Sequence, residues 1–136
     1  MKESTIYEFD PSIYPRKVWV AVTDDTESLK NYFSFDADVN DFYRSFDAVV
    51  FPVYDLDKSN NGVLVIFASK KQMTVKTIAH ESVHVATQIF SDCNMGFSFE
   101  AGMDEHFAYL VGWAADCMNN IRTGNVQNLK TLSNQK

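Results

Sequence analysis

Five consecutive residues, Val63-Leu64-Val65-Ile66-Phe67, carry no polar side chain. Their β-branched and aromatic character predicts a strand. Successive side chains of a strand point to opposite faces, so this one implies burial on both. Upstream, Ala48-Val49-Val50-Phe51-Pro52-Val53-Tyr54 reads as a second strand, with Pro52 marking an edge or a bulge because it cannot donate to a ladder. The segment between them is polar and ends in Asn61-Gly62, so the two strands are expected to form a hairpin.

The apolar run is followed by a helix pattern. Thr74 is placed to cap it, and the helix is expected to run to about Phe90. Val75, Ile78, Ala79, Val83, Ala86, Ile89 and Phe90 give it a broad apolar face. Within it stands His80-Glu81-Ser82-Val83-His84, two histidines one helical turn apart with a glutamate between them. At about 3.6 residues per turn the two imidazoles share a face and can grip one metal ion. Glu81 lies about 100° round from His80, close enough to serve a water at the metal without being a ligand. The chain has three histidines, and this motif takes two of them.

The remaining elements follow from the same rules. Residues 1–16 are polar with aromatic punctuation and two prolines, and are expected to be an extended arm. Lys17–Thr23 is a first strand. Asp24 and Glu27 suggest a capping box for a short helix with Leu29, Tyr32 and Phe33 on its apolar side. Residues 34–46 are expected to be a loop. Their Asp36, Asp38 and Asp41 lack the glycine and terminal glutamate of an EF-hand loop. A loop over Asp92–Gly102 precedes a long helix from about Met103 to Ile121, whose apolar side is Phe107, Leu110, Val111, Ala114, Ala115 and Met118. Residues from about 124 to 136 read as a frayed tail. The whole, 1–136, is expected to be one α+β domain with a small sheet against the helices.

A catalytic zinc site takes three protein ligands and an open position. The third ligand must come from outside the motif. Glu105, at the start of the last helix, is the natural candidate, since two antiparallel helices can bring its first turn to the motif. His106 points about 100° away from Glu105 and shares its side with Leu110, Trp113 and Cys117, which suits packing. Glu100 lies in the loop and is a weaker choice. The Glu105 stripe continues through Tyr109, Gly112 and Asp116. Gly112 suits close approach of the motif helix, and Asp116 either orients a histidine or is solvated.

His80-Glu81-x-x-His84 followed by Glu105-x-x-Ala108-Tyr109-Leu110 and Trp113 resembles the gluzincin clan of zinc metallopeptidases. It is similar to the small single-domain gluzincin-like proteins of phages and mobile elements. The resemblance covers roughly residues 62–118. It implies that His80, His84 and Glu105 bind Zn²⁺ and that Glu81 is the general base. Larger thermolysin-like members carry an aspartate four residues after the glutamate ligand; here that position is Tyr109, to which an oxyanion contact or a core packing role is open.

The reading is therefore a zinc-dependent hydrolase acting on a peptide or protein substrate, with a non-catalytic zinc-binding module as the alternative. The alternative to a metal site altogether is a histidine pair with Glu81 in an ordinary salt bridge. A formal net charge of −6 argues weakly against non-specific nucleic-acid binding. Cys93 and Cys117 make no disulfide framework and are expected to be free thiols. The N-terminus has no apolar run of the signal-peptide kind, and no window reaches the roughly 18 apolar residues of a membrane span. A cytoplasmic location without membrane attachment is the expectation; oligomeric state is not readable.

Overall fold

The computed structural model describes residues 5–35, 47–126 and, for the backbone, 130–133. Among these residues six strands and three α-helices follow one another as β1 (Thr5–Phe9), β2 (Lys17–Val22), α1 (Thr26–Leu29), β3 (Phe33–Phe35), β4 (Ala48–Asp55), β5 (Asn61–Phe67), α2 (Val75–Asp92), α3 (Glu105–Thr123) and β6 (Lys130–Ser133), with a 3-10 turn at Lys70–Gln72. The strands form one sheet in the order β3-β4-β5-β2-β1-β6. Its ladders are antiparallel except for β2 against β5, where Val18 faces Val63 and Val20 faces Val65. The class is α+β, as the sequence implies.

The apolar run sits where its composition requires. In β5, Val63 to Phe67 are all fully buried, with β4 on one side and β2 on the other. Val63, Val65 and Phe67 face a cluster with Val18, Val20, Ile78, Val85, Ala86 and Ile89, which seats the helices. Leu64 and Ile66 face the opposite cluster with Ile6, Trp19, Leu29, Phe33 and Phe51. Each large side chain buried this way contributes roughly 1.5–3 kcal/mol. The Trp19 ring is fully buried and its Nε1 donates to Glu8 at 3.0 Å, so its one polar atom is satisfied. The expected β4–β5 hairpin forms with an unbroken register from Ala48–Phe67 to Tyr54–Asn61; Pro52 stands opposite Val63 with no bulge.

Three local expectations are corrected. The arm contains β1, antiparallel to β2, because Ile6 alternates with Thr5 and Tyr7 and delivers a fully buried side chain to the sheet. The tail contains β6, antiparallel to β1, a pairing between distant parts of the chain that no local pattern announces. The short helix is capped by Asp25 rather than Asp24, with the Asp25 carboxylate accepting from the Ser28 amide. It ends at Leu29, and Phe33 belongs to β3, paired with Asp55 of β4. Asp36, Asp38 and Asp41 lie outside the described residues.

The two long helices begin and end within two residues of where the sequence places them. Thr74 caps α2, its Oγ1 accepting from the Thr77 amide at 3.1 Å. Gly124 ends α3 in the left-handed conformation, φ 76°. Phe90 of α2 meets Phe107 of α3 at 5.4 Å between ring centroids, edge to face. This contact ties the end of α2 to the beginning of α3. Arg16 and Asp92 form an ion pair at 3.3 Å that fastens the β1–β2 connection to the end of α2.

Candidate metal centre

His80, Glu81 and His84 form the group suited to a metal ion among the described residues, their ligand atoms all within 4.8 Å of one another. The helix supplies this directly. His80 and His84 are exposed, and Glu81, one position on from His80, is turned toward the protein and only 5% exposed. The two Nε2 atoms lie 3.2 Å apart, with the rings tilted 69° to one another. Two nitrogens held about 2.0–2.1 Å from a tetrahedral zinc ion are about 3.3–3.4 Å apart, so the pair is set at the spacing that such an ion needs. The same distance also suits an N–H···N hydrogen bond between one neutral ring and its neighbour.

Burial pushes the Glu81 carboxyl above its ordinary pKa, and the positive charge available to His80 and His84 pulls the other way. A carboxylate with a raised pKa beside two imidazoles has the character of a proton acceptor that works nearer neutrality than a surface glutamate. Ser82, beside it, is fully buried and donates to the Ile78 carbonyl at 2.7 Å, which keeps its hydroxyl out of the site.

The group opens into a cleft of about 260 Å³ lined by Ala48, Val49 and Val50 of β4 and by His80, Glu81, His84, Thr87 and Gln88 of α2. A second cleft of about 180 Å³ continues from it past Asp47, Ala48, Lys76 and Thr77, again reaching His80 and Glu81. The site therefore lies between α2 and β4. Thr87 and Gln88 follow His84 by three and four residues and share its face, so helical spacing alone points to them. The β4 residues depend on how the strand crosses the helix, which has no local signature.

Glu105 does not join the His80–Glu81–His84 group. It is exposed in the first turn of α3 and stands outside the 4.8 Å group. Two features of the helix pair account for this. Helix α2 continues well past His84, and His84 lies six residues, about 9 Å along the axis, before the Phe90 that meets α3. Phe90 also points about 120° round the helix from His84, so α3 flanks α2 on a different side from the cleft. Glu100 is exposed in the connection and His106 is exposed at the start of α3, on a groove with Ile13, Tyr14 and Cys93; neither joins the group. Tyr109 is 75% exposed, and the clefts at the histidines are lined by other residues. Gly112 does not serve a close approach, since a Cβ there would meet nothing within 4 Å. Leu110 and Cys117 do pack inward, and Trp113 is half-buried, as their stripe suggests.

Cys93 and Cys117 are free. Burial, with a smaller contribution from the neighbouring Asp116 charge, pushes the Cys117 thiol up to about 12. No described helix is long and apolar enough to cross a membrane. No family model, no curated protein and no solved structure matches the chain.

Proposed function

We propose that the protein is a zinc-dependent hydrolase whose centre is the His80–Glu81–His84 turn of α2. The observation that carries this reading is the 3.2 Å separation of the two Nε2 atoms with the buried Glu81 carboxylate beside them. His80 and His84 would hold the ion through their Nε2 atoms. A zinc ion there would supply Lewis acidity and make a water easier to deprotonate. Glu81 would accept that water's proton and return it to the leaving group. The open cleft against β4 gives a substrate access to both groups.

A peptide or protein is the substrate class we favour, on the likeness of the motif to gluzincin-like metallopeptidases. Digestion of an unbiased peptide library by the zinc-loaded protein, with and without chelator, tests it. Chelator-sensitive cleavage is expected, and a metal-loaded protein that cleaves nothing would move the reading to the alternative, a metal-binding module without turnover. One observation favours that alternative: among the described residues the group offers two histidines and Glu81, and using Glu81 as the third ligand would leave no base.

A further inference from the structure

We propose that Asp47, immediately before β4, is the carboxylate that completes the metal centre, in the role the sequence suggests for Glu105. The inference rests on the metal-centre reading above and deepens it. The cleft at the histidines opens toward β4, and α3 flanks another side of the helix. A third ligand is therefore to be sought on the sheet side. Asp47 lines the cleft that also contains His80 and Glu81, and Ala48 next to it lines both clefts.

The backbone at this point is held while the side chain is not. Ala48 is buried and paired with Phe67, and the Asp47 carbonyl accepts from the Ala68 amide at 3.4 Å. The Asp47 side chain is exposed, and its carboxylate makes no hydrogen bond or ion pair among the described residues. It stands outside the 4.8 Å group, so ligation draws it inward by side-chain rotation across the cleft. Lys76 shares that cleft and forms no ion pair with it among the described residues, so the carboxylate is not already held by an ammonium. Two neutral imidazoles and one carboxylate make the donor set of a hydrolytic zinc site, leave a position open, and free Glu81 to be the base.

The test is competitive zinc titration of the full chain, paired with the visible spectrum of its cobalt(II) form. The proteins are wild type, Asp47→Ala, the nearly isosteric Asp47→Asn, and Glu105→Ala, each checked for folding by circular dichroism. The wild type is expected to bind one equivalent. Asp47→Ala should lose about 100-fold in affinity and Asp47→Asn less, both with altered cobalt bands, while Glu105→Ala stays within about threefold. Unchanged affinity and spectrum in both Asp47 variants, or loss confined to Glu105→Ala, overturns the assignment and leaves the metal centre standing. Absence of zinc and cobalt uptake by the wild type overturns the metal centre itself.

Discussion

The imidazoles of His80 and His84 face one another across a single helical turn with their Nε2 atoms 3.2 Å apart. That spacing serves a shared ion or a shared proton, and the two lead to different measurements. With a shared ion, protein purified without added metal and then dialysed against zinc should carry about one zinc per chain. His84→Ala should lower affinity by about 100-fold or more, because one imidazole from the pair cannot hold the ion alone. A hydrogen-bonded pair without metal would leave the elemental analysis blank and the variant indistinguishable from wild type.

Glu81→Gln separates binding from chemistry. The amide fills the same buried space but cannot accept a proton. Zinc affinity should stay close to wild type, and any hydrolytic rate should fall by about 100- to 10,000-fold. Undiminished hydrolysis would remove Glu81 from the mechanism; loss of zinc would make it a ligand.

Gly62 is expected to be among the least tolerant positions in the sheet. A Cβ at Gly62 would lie 2.3 Å from the Lys17 carbonyl oxygen and 2.6 Å from the Trp19 ring. Those are backbone and fully buried ring atoms, neither free to retreat. Gly62→Ala should therefore cost about 3 kcal/mol. A denaturant midpoint equal to wild type would show that β2 and β5 can spread apart more easily than their packing suggests.

Cys93 and Cys117 should differ in reactivity and in their effect at high pH. Cys93 is half-buried and should be alkylated first, Cys117 only on unfolding, since burial holds its thiol protonated to about pH 12. An ordinary thiol in the unfolded chain ionises from 9.0. Between those values the unfolded chain holds fewer protons than the folded one, so this group's contribution to stability falls as pH rises. Cys117→Ala removes that slope. Its stability deficit relative to wild type, measured by urea titration, should be largest near neutral pH and should narrow above pH 9. A deficit that stays constant up to about pH 11 would mean the thiol is no harder to ionise folded than unfolded.

What was legible in the sequence was what is local. Val63–Phe67 announced a doubly buried strand because no residue in it tolerates water, and Thr74 announced the start of a helix through its capping hydroxyl. His80 and His84 were legible because helical periodicity fixes their mutual position regardless of tertiary structure. Glu105 was a different kind of inference. Its approach to the histidines depended on where α2 ends and which flank α3 takes, and those are tertiary matters that show in contacts such as Phe90 against Phe107, across a connection of many residues. Strands β1 and β6 were missed for the same reason. A short polar-aromatic segment becomes a strand when a distant partner offers it an edge, and Thr5 finds Ser133.

The β2–β5 ladder divides the molecule in the time domain as well as in space. Asp47, β4, β5 and α2 are one uninterrupted stretch of chain, joined by a hairpin and a short turn, and they contain every residue assigned to the metal centre. The parallel join to β2, and beyond it the β1–β6 border, require remote segments to meet and so carry a larger loop-closure entropy. The stretch from Asp47 to Asp92 is thus expected to organise early during folding, with β1 and β6 docking late and opening first. Native-state amide exchange should then show fast, independent opening of the Thr5–Ser133 border while the amides of the His80–His84 turn exchange only with the core.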